Sequence, residues 1–473
     1  MSRRAHLKAL VRSRTTPLIV ATALLMENID STVISTSLPR IAADLDTSPI
    51  HLKLALTSYL LALAIFIPAS GWVADKFGAR RVFRWAIALF AAGSIACGAS
   101  TSLVSLIAAR VLQGIGGSMM VPVGRLIVLR VTPKAGLVGA LAWLTVPALI
   151  GPVLGPPLGG FITTYFDWRW IFWINIPIAF VGVVLVTIFI PLLPIGSVPG
   201  FDTRGFLLIG PGLAAFLTGL TLAGLGLATP GTIVGMTVCG LILTALYVRH
   251  AFNRAEPLVD LRLLSLPTFG ISALGGTIFR VGGGALPFLL PLLFQIGFGL
   301  TPFQSGMLTF ASGFGAILMK FIAQPILRRF GFRRVLITNA IFAGLFILAP
   351  AAFTANTPYV MMVGTLFLGG VCRSLQFTSI NAIAYAEVPA NRLSSATSFN
   401  AALQQLSGSV GITIAAFGLQ AAGAYQGTAQ IVAANFPPVF ALMAGLSVLS
   451  ATWFARLDAD AGDGILAHQH RAG

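Results

Sequence analysis

Fourteen times along this chain, about twenty apolar residues run together before a short polar interruption. A helix of that length, rising about 1.5 Å per residue, spans the hydrocarbon core of a bilayer, roughly 30 Å thick. The runs occupy 16–38, 52–74, 82–99, 102–124, 137–161, 170–192, 206–224, 231–249, 268–292, 303–325, 335–353, 358–380, 397–421 and 436–456. Only 9% of the 473 residues are charged, too few to cover a soluble body of this size. The expected fold class is an all-α membrane protein with 14 transmembrane helices. The basic start, MSRRAHLKALVRSR, resembles the head of a signal peptide. The run behind it is too long and lacks a small-residue cleavage site, so it reads as an uncleaved first span.

The net charge of +17 would suit nucleic acid, but its distribution does not. The basic residues cluster in short loops between the runs. With a cytoplasmic N-terminus, 22 of the 30 Lys and Arg lie on the cytoplasmic side and three (Arg40, Lys53, Arg169) outside. Five more (Arg110, Arg125, Arg280, Lys320, Arg373) are within spans or at their ends. The positive-inside rule then puts both termini in the cytoplasm. Cys97, Cys239 and Cys372 all fall in apolar segments, where neither disulfides nor metal sites are expected.

A repeat is visible. "DKFGARRV" at 75–82 returns as "RRFGFRRV" at 328–335, each time after what would be the second helix of a half. This implies two six-helix bundles related by a parallel repeat. The expected division is 1–192 and 268–473 for the bundles, with linkers and two extra helices in 193–267.

The first span carries two carboxylates where lipid is least tolerant of them. A charge at the bilayer centre costs roughly 2.5–3.5 kcal/mol on insertion scales. Glu27 and Asp30 are the only acids in the middle of any span, one helical turn apart on one face. A carboxyl group withdrawn from water disfavours its charged form until a partner or an opening arrives. Asp30 is the first choice for proton coupling, and Arg110 in the fourth span is the charge that modulates it. Glu27 binds a cationic substrate or shares the proton. A static ion pair with Arg110 is the plainer alternative.

Other motifs suggest moving parts. "GWVADKFGARR" (71–81) gathers Asp75, Gly78, Arg80 and Arg81 at the end of the second span. A facing helix end or Arg can hold Asp75, and its release would free the bundles to move. Arg328 stands at the matching place in the second copy, so only the first copy can form this latch. "GPVLGPPLGG" (151–160) sets Gly151, Gly155 and Gly159 four residues apart, a smooth face for close helix approach. Pro156 and its neighbouring prolines bend that helix, which suits a gate; simple packing is the alternative. "FRVGGGALPFLLP" (279–291) indicates an interrupted helix that lines a cavity. Arg280 within it, Arg373, Gln113 and Gln376 are cavity candidates, with Gln404 and Gln405 weaker ones. "FDWRWIFWINIP" (166–177) places three Trp at the outer interface as an anchor.

No lysine follows a glycine, so the chain has no GxxxxGK[ST] phosphate loop. HExxH and CxxC are absent too, and no stretch is long enough for a soluble catalytic domain. Neither enzymatic activity nor a cofactor or metal is expected. Transport would draw on an ion gradient.

Together these motifs resemble the major facilitator superfamily. "GWVADKFGARR" is similar to its loop signature, and "RVLQG" and "GPVLGPPLGG" to its fourth- and fifth-helix motifs, the latter associated with antiporters. "IDSTVISTSLP" (29–39) and "WRWIFWINIP" resemble the fourteen-helix drug:proton antiporters of the EmrB/QacA type, and in detail the multidrug-resistance branch around MdtD. The resemblance implies a proton-coupled antiporter of a bacterial cytoplasmic (inner) membrane that exports drugs or other lipophilic small molecules by alternating access. Its partners would be the small-molecule substrate, protons and the lipid bilayer, with no nucleic acid and a monomeric chain. Two alternatives stay open. Arg280 and Arg373 would suit an exporter of an anionic metabolite or metal chelate. A non-transporting sensor or scaffold is the other, although no sensor domain is visible.

Overall fold

The computed structural model describes residues 3–132, 137–192, 200–223, 225, 227–389, 392–428 and 430–462. The expected linker segment 193–199 lies outside them, as do the C-terminal tail past 462 and the side chains of the basic start, 1–14. The helices are α1 (Arg3–Asp44), α2 (Lys53–Phe77), α3 (Ala79–Gly98), α4 (Leu103–Val131), α5 (Leu137–Tyr165), α6 (Trp170–Trp173), α7 (Asn175–Phe189), α8 (Thr203–Leu222), α9 (Pro230–Phe252), α10 (Pro267–Gly284), α11 (Leu286–Leu292), α12 (Pro302–Phe330), α13 (Phe332–Leu348), α14 (Tyr359–Ile383), α15 (Leu393–Gln426) and α16 (Phe436–Phe454). No strand occurs among the described residues.

Thirteen of the described segments are long and apolar enough to cross a membrane. Each coincides with one of the runs read from the sequence. The remaining run, 137–161, falls on α5, which is 29 residues long and whose side chains are described from residue 150 onward. Helices α6 and α7 make one span, Trp170–Phe189. Helices α10 and α11 and a π turn at Leu293–Gly297 make another, Pro267–Gly297. The break in that span follows the three glycines of Gly282–Gly284, and Pro287 sits in the first turn of α11, where a missing N–H costs nothing.

By internal contacts the chain divides into Met1–Thr203 and Arg204–Gly473. In the first unit α1 packs on α5, α7 and α4, while α4 also packs on α2 and α3. In the second, α10 packs on α15 and α16, α12 on α14, and α13 on α16 and α14. The extra pair, α8 and α9, falls in this second unit. Its two helices cross closely, since a Cβ on Gly240 would collide with the backbone at Phe216 and Gly212.

The repeated octapeptide does the same physical work in both units. Gly78 joins α2 to α3 at φ +89°, and Gly331 joins α12 to α13 at φ +73°. Both sit in the region that side chains rarely adopt. Each donates its N–H four residues back, to Ala74 at 3.0 Å and Leu327 at 2.9 Å. The second residue beyond each glycine is an arginine. Arg80 donates to the Thr187 carbonyl in the last turn of α7, and Arg333 to the Ala455 carbonyl just past α16 at 2.9 Å. Terminal carbonyls of a helix have no partner within it, and a cation there also complements the helix dipole.

Candidate functional site

The core of the first unit contains a buried polar network centred on Asp30. One carboxylate oxygen accepts from Arg110 at 2.7 Å. The other accepts from the Gln113 side-chain amide at 2.8 Å and from Asn175 at 2.8 Å. Gln113 and Asn175 both reach Ser94, at 2.7 and 3.2 Å, and Arg110 also donates to Gln113 at 2.6 Å. Asp30 and Arg110 are each 1% exposed. Four elements contribute, α1, α3, α4 and α7, so any rearrangement of one is felt by the others.

The sequence explains how α4 is brought so close. A Cβ on Gly114 would lie 2.6 Å from Ala62 on α2, and one on Gly93 of α3 would lie 2.6 Å from the Gln113 backbone. Small residues at these two crossings let α4 sit tightly between its neighbours. The Arg110 guanidinium then lies 4.1 Å from the centre of the Tyr59 ring, a cation–π contact that suits a desolvated charge. Gln113, expected in a substrate cavity, is instead fully buried and serves to hold Asp30.

Glu27 differs. It is 8% exposed, forms no hydrogen bond or ion pair with the described residues, and its Oε2 is buried without a partner among them. One helical turn therefore separates a carboxylate hydrogen-bonded on both oxygens from one with an oxygen buried and unpartnered.

The other side of α1 carries the α5 contact. Cβ atoms on Gly151, Gly155 and Gly159 would collide with Asn28, with Thr32, and with Val33 and Thr36. Thr32 donates to the Gly151 carbonyl at 3.4 Å and Thr36 to that of Pro156 at 3.3 Å. The glycine stripe thus lies directly along the helix that bears both acids. Gly155→Val is expected to push α5 off α1 and abolish transport, with overpacking costing about 1–3 kcal/mol of stability. Transport assays beside thermal melting check this; full transport with unchanged melting would show that the crossing is not tight in the working protein.

At the end of α2, Asp75 pairs with Arg130 at 2.5 Å, both about one-third exposed. A pair exposed to this extent contributes no more than about 1 kcal/mol. Asp75→Asn should slow turnover by about fivefold at most and leave substrate affinity unchanged. Direct binding and initial-rate measurements separate the two effects, and an affinity loss at normal turnover would contradict a latch. Arg80 caps α7 as described, and Arg81 is exposed with no polar partner among the described residues. At the opposite end of α1, Asp44 accepts from Trp168 at 3.0 Å and Arg169 at 2.8 Å. Trp168 is 2% exposed, so it fastens α1 to the segment after α5 and is not the surface anchor expected from the sequence. Trp170, half-exposed, fits that description.

Within its described spans the second unit holds cations without acids. Arg280 is 1% exposed. It donates to Asn381 at 3.0 Å and to Asn400 at 3.3 Å, and its Nε has no partner. Arg373 is partly buried, lies alongside Gly283 and donates to Ser312 at 2.7 Å. Among the described residues of this unit, no Asp or Glu lies within a span. Gln376, also expected in a cavity, is fully buried between α13 and α14, bonded to Asn339 at 2.8 Å and to the Leu336 carbonyl at 3.0 Å.

Sequence reasoning missed Asn175, Ser94 and Tyr59. Asn175 was read only as part of the tryptophan-rich anchor. Its signal was an amide on an apolar span, which lipid exposure would penalise.

A family model described as "Major Facilitator Superfamily" matches residues 20–286 and 272–469. Over 452 residues the chain is 38% identical to a protein of Escherichia coli O6:H1 strain CFT073 named "Putative multidrug resistance protein MdtD", covering 93% of this chain and 94% of that one. The K12 strain protein of the same name matches at the same identity and coverage. The fold is similar to a solved POT family peptide transporter, with TM-score 0.69 and 17% identity over 96% of this chain and 97% of that one. It is also similar to a D-xylose-proton symporter, with TM-score 0.66 and 14% identity over 93% and 96%.

Proposed function

Because the chain belongs to the major facilitator superfamily, and is a multi-pass membrane transporter and not an enzyme, we propose that it exports drugs or other lipophilic small molecules in exchange for protons. The observation that carries this reading is the pair of carboxyls on α1, one locked and one free. The sequence reading gave the coupling role first to Asp30; here it passes to Glu27. Asp30 is already engaged in matching the buried charge of Arg110, which would otherwise be unpaired. Glu27 has no such partner, so it can carry either a proton or a cationic substrate. Facing the cytoplasm, Glu27 releases its proton and its carboxylate takes up the cation. Facing outward, a new proton neutralises Glu27 and the cation leaves. Sliding of α5 along the glycine stripe, with opening of the Asp75–Arg130 contact, provides the exchange of access. The charge bias of the loops supports cytoplasmic termini in a bacterial inner membrane, with the chain acting as a monomer.

Proteoliposomes with an imposed pH gradient test this. Lipophilic cations should move against their gradient and collapse the pH difference as they do so. Cation movement that leaves the internal pH unchanged would rule out proton exchange.

Arg280 and Arg373 favour a second reading, export of an anionic metabolite or metal chelate. A buried guanidinium with an unmatched Nε attracts a carboxylate. On that reading Arg280→Ala weakens transport of anions far more than of cations, measured as competing uptake into everted vesicles. Equal loss for both classes would make Arg280 structural, held by Asn381 and Asn400.

A further inference from the structure

Between α3 and α4 the first unit has a groove of about 320 Å³. Its walls are almost wholly apolar: Trp85 and Leu89 on one side, Ile115 and Met119 on the other, with Phe77 at one end. The floor is the crossing where Gly116 meets the backbone of Phe90 and Ala86. Arg81 lies at the same end as Phe77, one helical turn before Trp85. Its guanidinium is exposed and has no polar partner among the described residues, whereas neighbouring Arg80 and Arg84 both reach Thr187. Trp85 is 69% exposed. The helix ends that meet at Gly78 carry Lys76, Arg80, Arg81 and Arg84, and the one acid among them, Asp75, is engaged by Arg130.

We propose that this groove holds an acyl chain of an anionic phospholipid whose phosphate is bound by Arg81. The argument is charge complementarity joined to shape. A partly open apolar groove accommodates hydrocarbon. An unpaired cation at its mouth, with an aromatic ring one turn along, matches the level of the headgroup and the upper chain. Basic sites between membrane helices on the cytoplasmic side recognise such headgroups, and the positive-inside bias places this loop there. The lipid would rest on the two helices that carry Ser94, Arg110 and Gln113, so its occupancy would bear on how tightly they pack. This site is independent of the proton-exchange reading, and its test does not use transport.

Native mass spectrometry of the purified full chain, with phosphatidylglycerol or phosphatidylcholine of identical acyl chains, reads the binding. The wild type should retain phosphatidylglycerol in preference, and Arg81→Gln should reduce that retention by about fivefold, the effect of one cation at the surface. Leu89→Trp, which fills the groove, should remove retention of both lipids. A measurement on the folded wild type stands beside these variants. Brominated phosphatidylglycerol should quench Trp85 fluorescence, obtained by difference from Trp85→Phe, more strongly than brominated phosphatidylcholine. Equal quenching by the two lipids, or undiminished retention by Arg81→Gln, would overturn the proposal.

Discussion

Asp30→Ala is expected to destabilise the protein by about 3–5 kcal/mol, because it leaves the Arg110 guanidinium buried and unpaired. Arg110 is 1% exposed, and its other contacts are Gln113, the Ala55 carbonyl at 3.4 Å and the Tyr59 and Phe172 rings. None of these is anionic. The loss should appear as low yield and a depressed melting temperature before any question of transport arises. The double variant Asp30→Ala/Arg110→Ala removes both charges and should recover a large part of the stability, as coupled neighbours do. If the single variant melts like the wild type, the pair is not the structural centre of the first unit. Such a result would return Asp30 to the role of an exchanging group.

Glu27→Gln should behave in the opposite way. Its carboxyl has no partner to orphan, so stability should change by less than about 1 kcal/mol. Substrate accumulation driven by a pH gradient should nevertheless fall to background, because an amide can neither release a proton nor balance a cation. Uptake into everted vesicles, normalised to folded protein by gel-filtration fluorescence, checks this. Gradient-driven accumulation at the wild-type level would remove Glu27 from the coupling step.

These two neighbouring acids show how far the sequence could be read. That both are costly in lipid followed from hydropathy alone, and Arg110 was the obvious cation for one of them. Which acid it meets depends on how α4 is rotated and how closely it approaches α1. Glycines at 93 and 114 set how α4 sits against α3 and α2, and Gly124 sets how it meets α1 at Val20; no periodicity along α1 records any of this. Asn175 was illegible for a related reason: it reaches Asp30 across 145 positions of chain. The spans were legible because lipid imposes one length on every one of them. The octapeptide repeat was legible as topology. The arginine two residues past its glycine, capping the last helix of each unit, could not be foreseen, since the carbonyl it finds lies more than 100 residues away. Gln113 and Gln376 looked like cavity groups because an amide in an apolar span needs a partner; in both cases the protein supplies one.

The most direct test of the division between Glu27 and Asp30 is proton release on substrate binding. Purified protein in weakly buffered detergent solution is mixed with a lipophilic cation, and the pH change is followed with an indicator dye. The wild type should release protons on binding and Glu27→Gln none. Asp30→Asn, if it retains enough fold to bind, should still release them. Release that survives in Glu27→Gln and disappears in folded Asp30→Asn would contradict the assignment and make Asp30 the exchanging carboxyl.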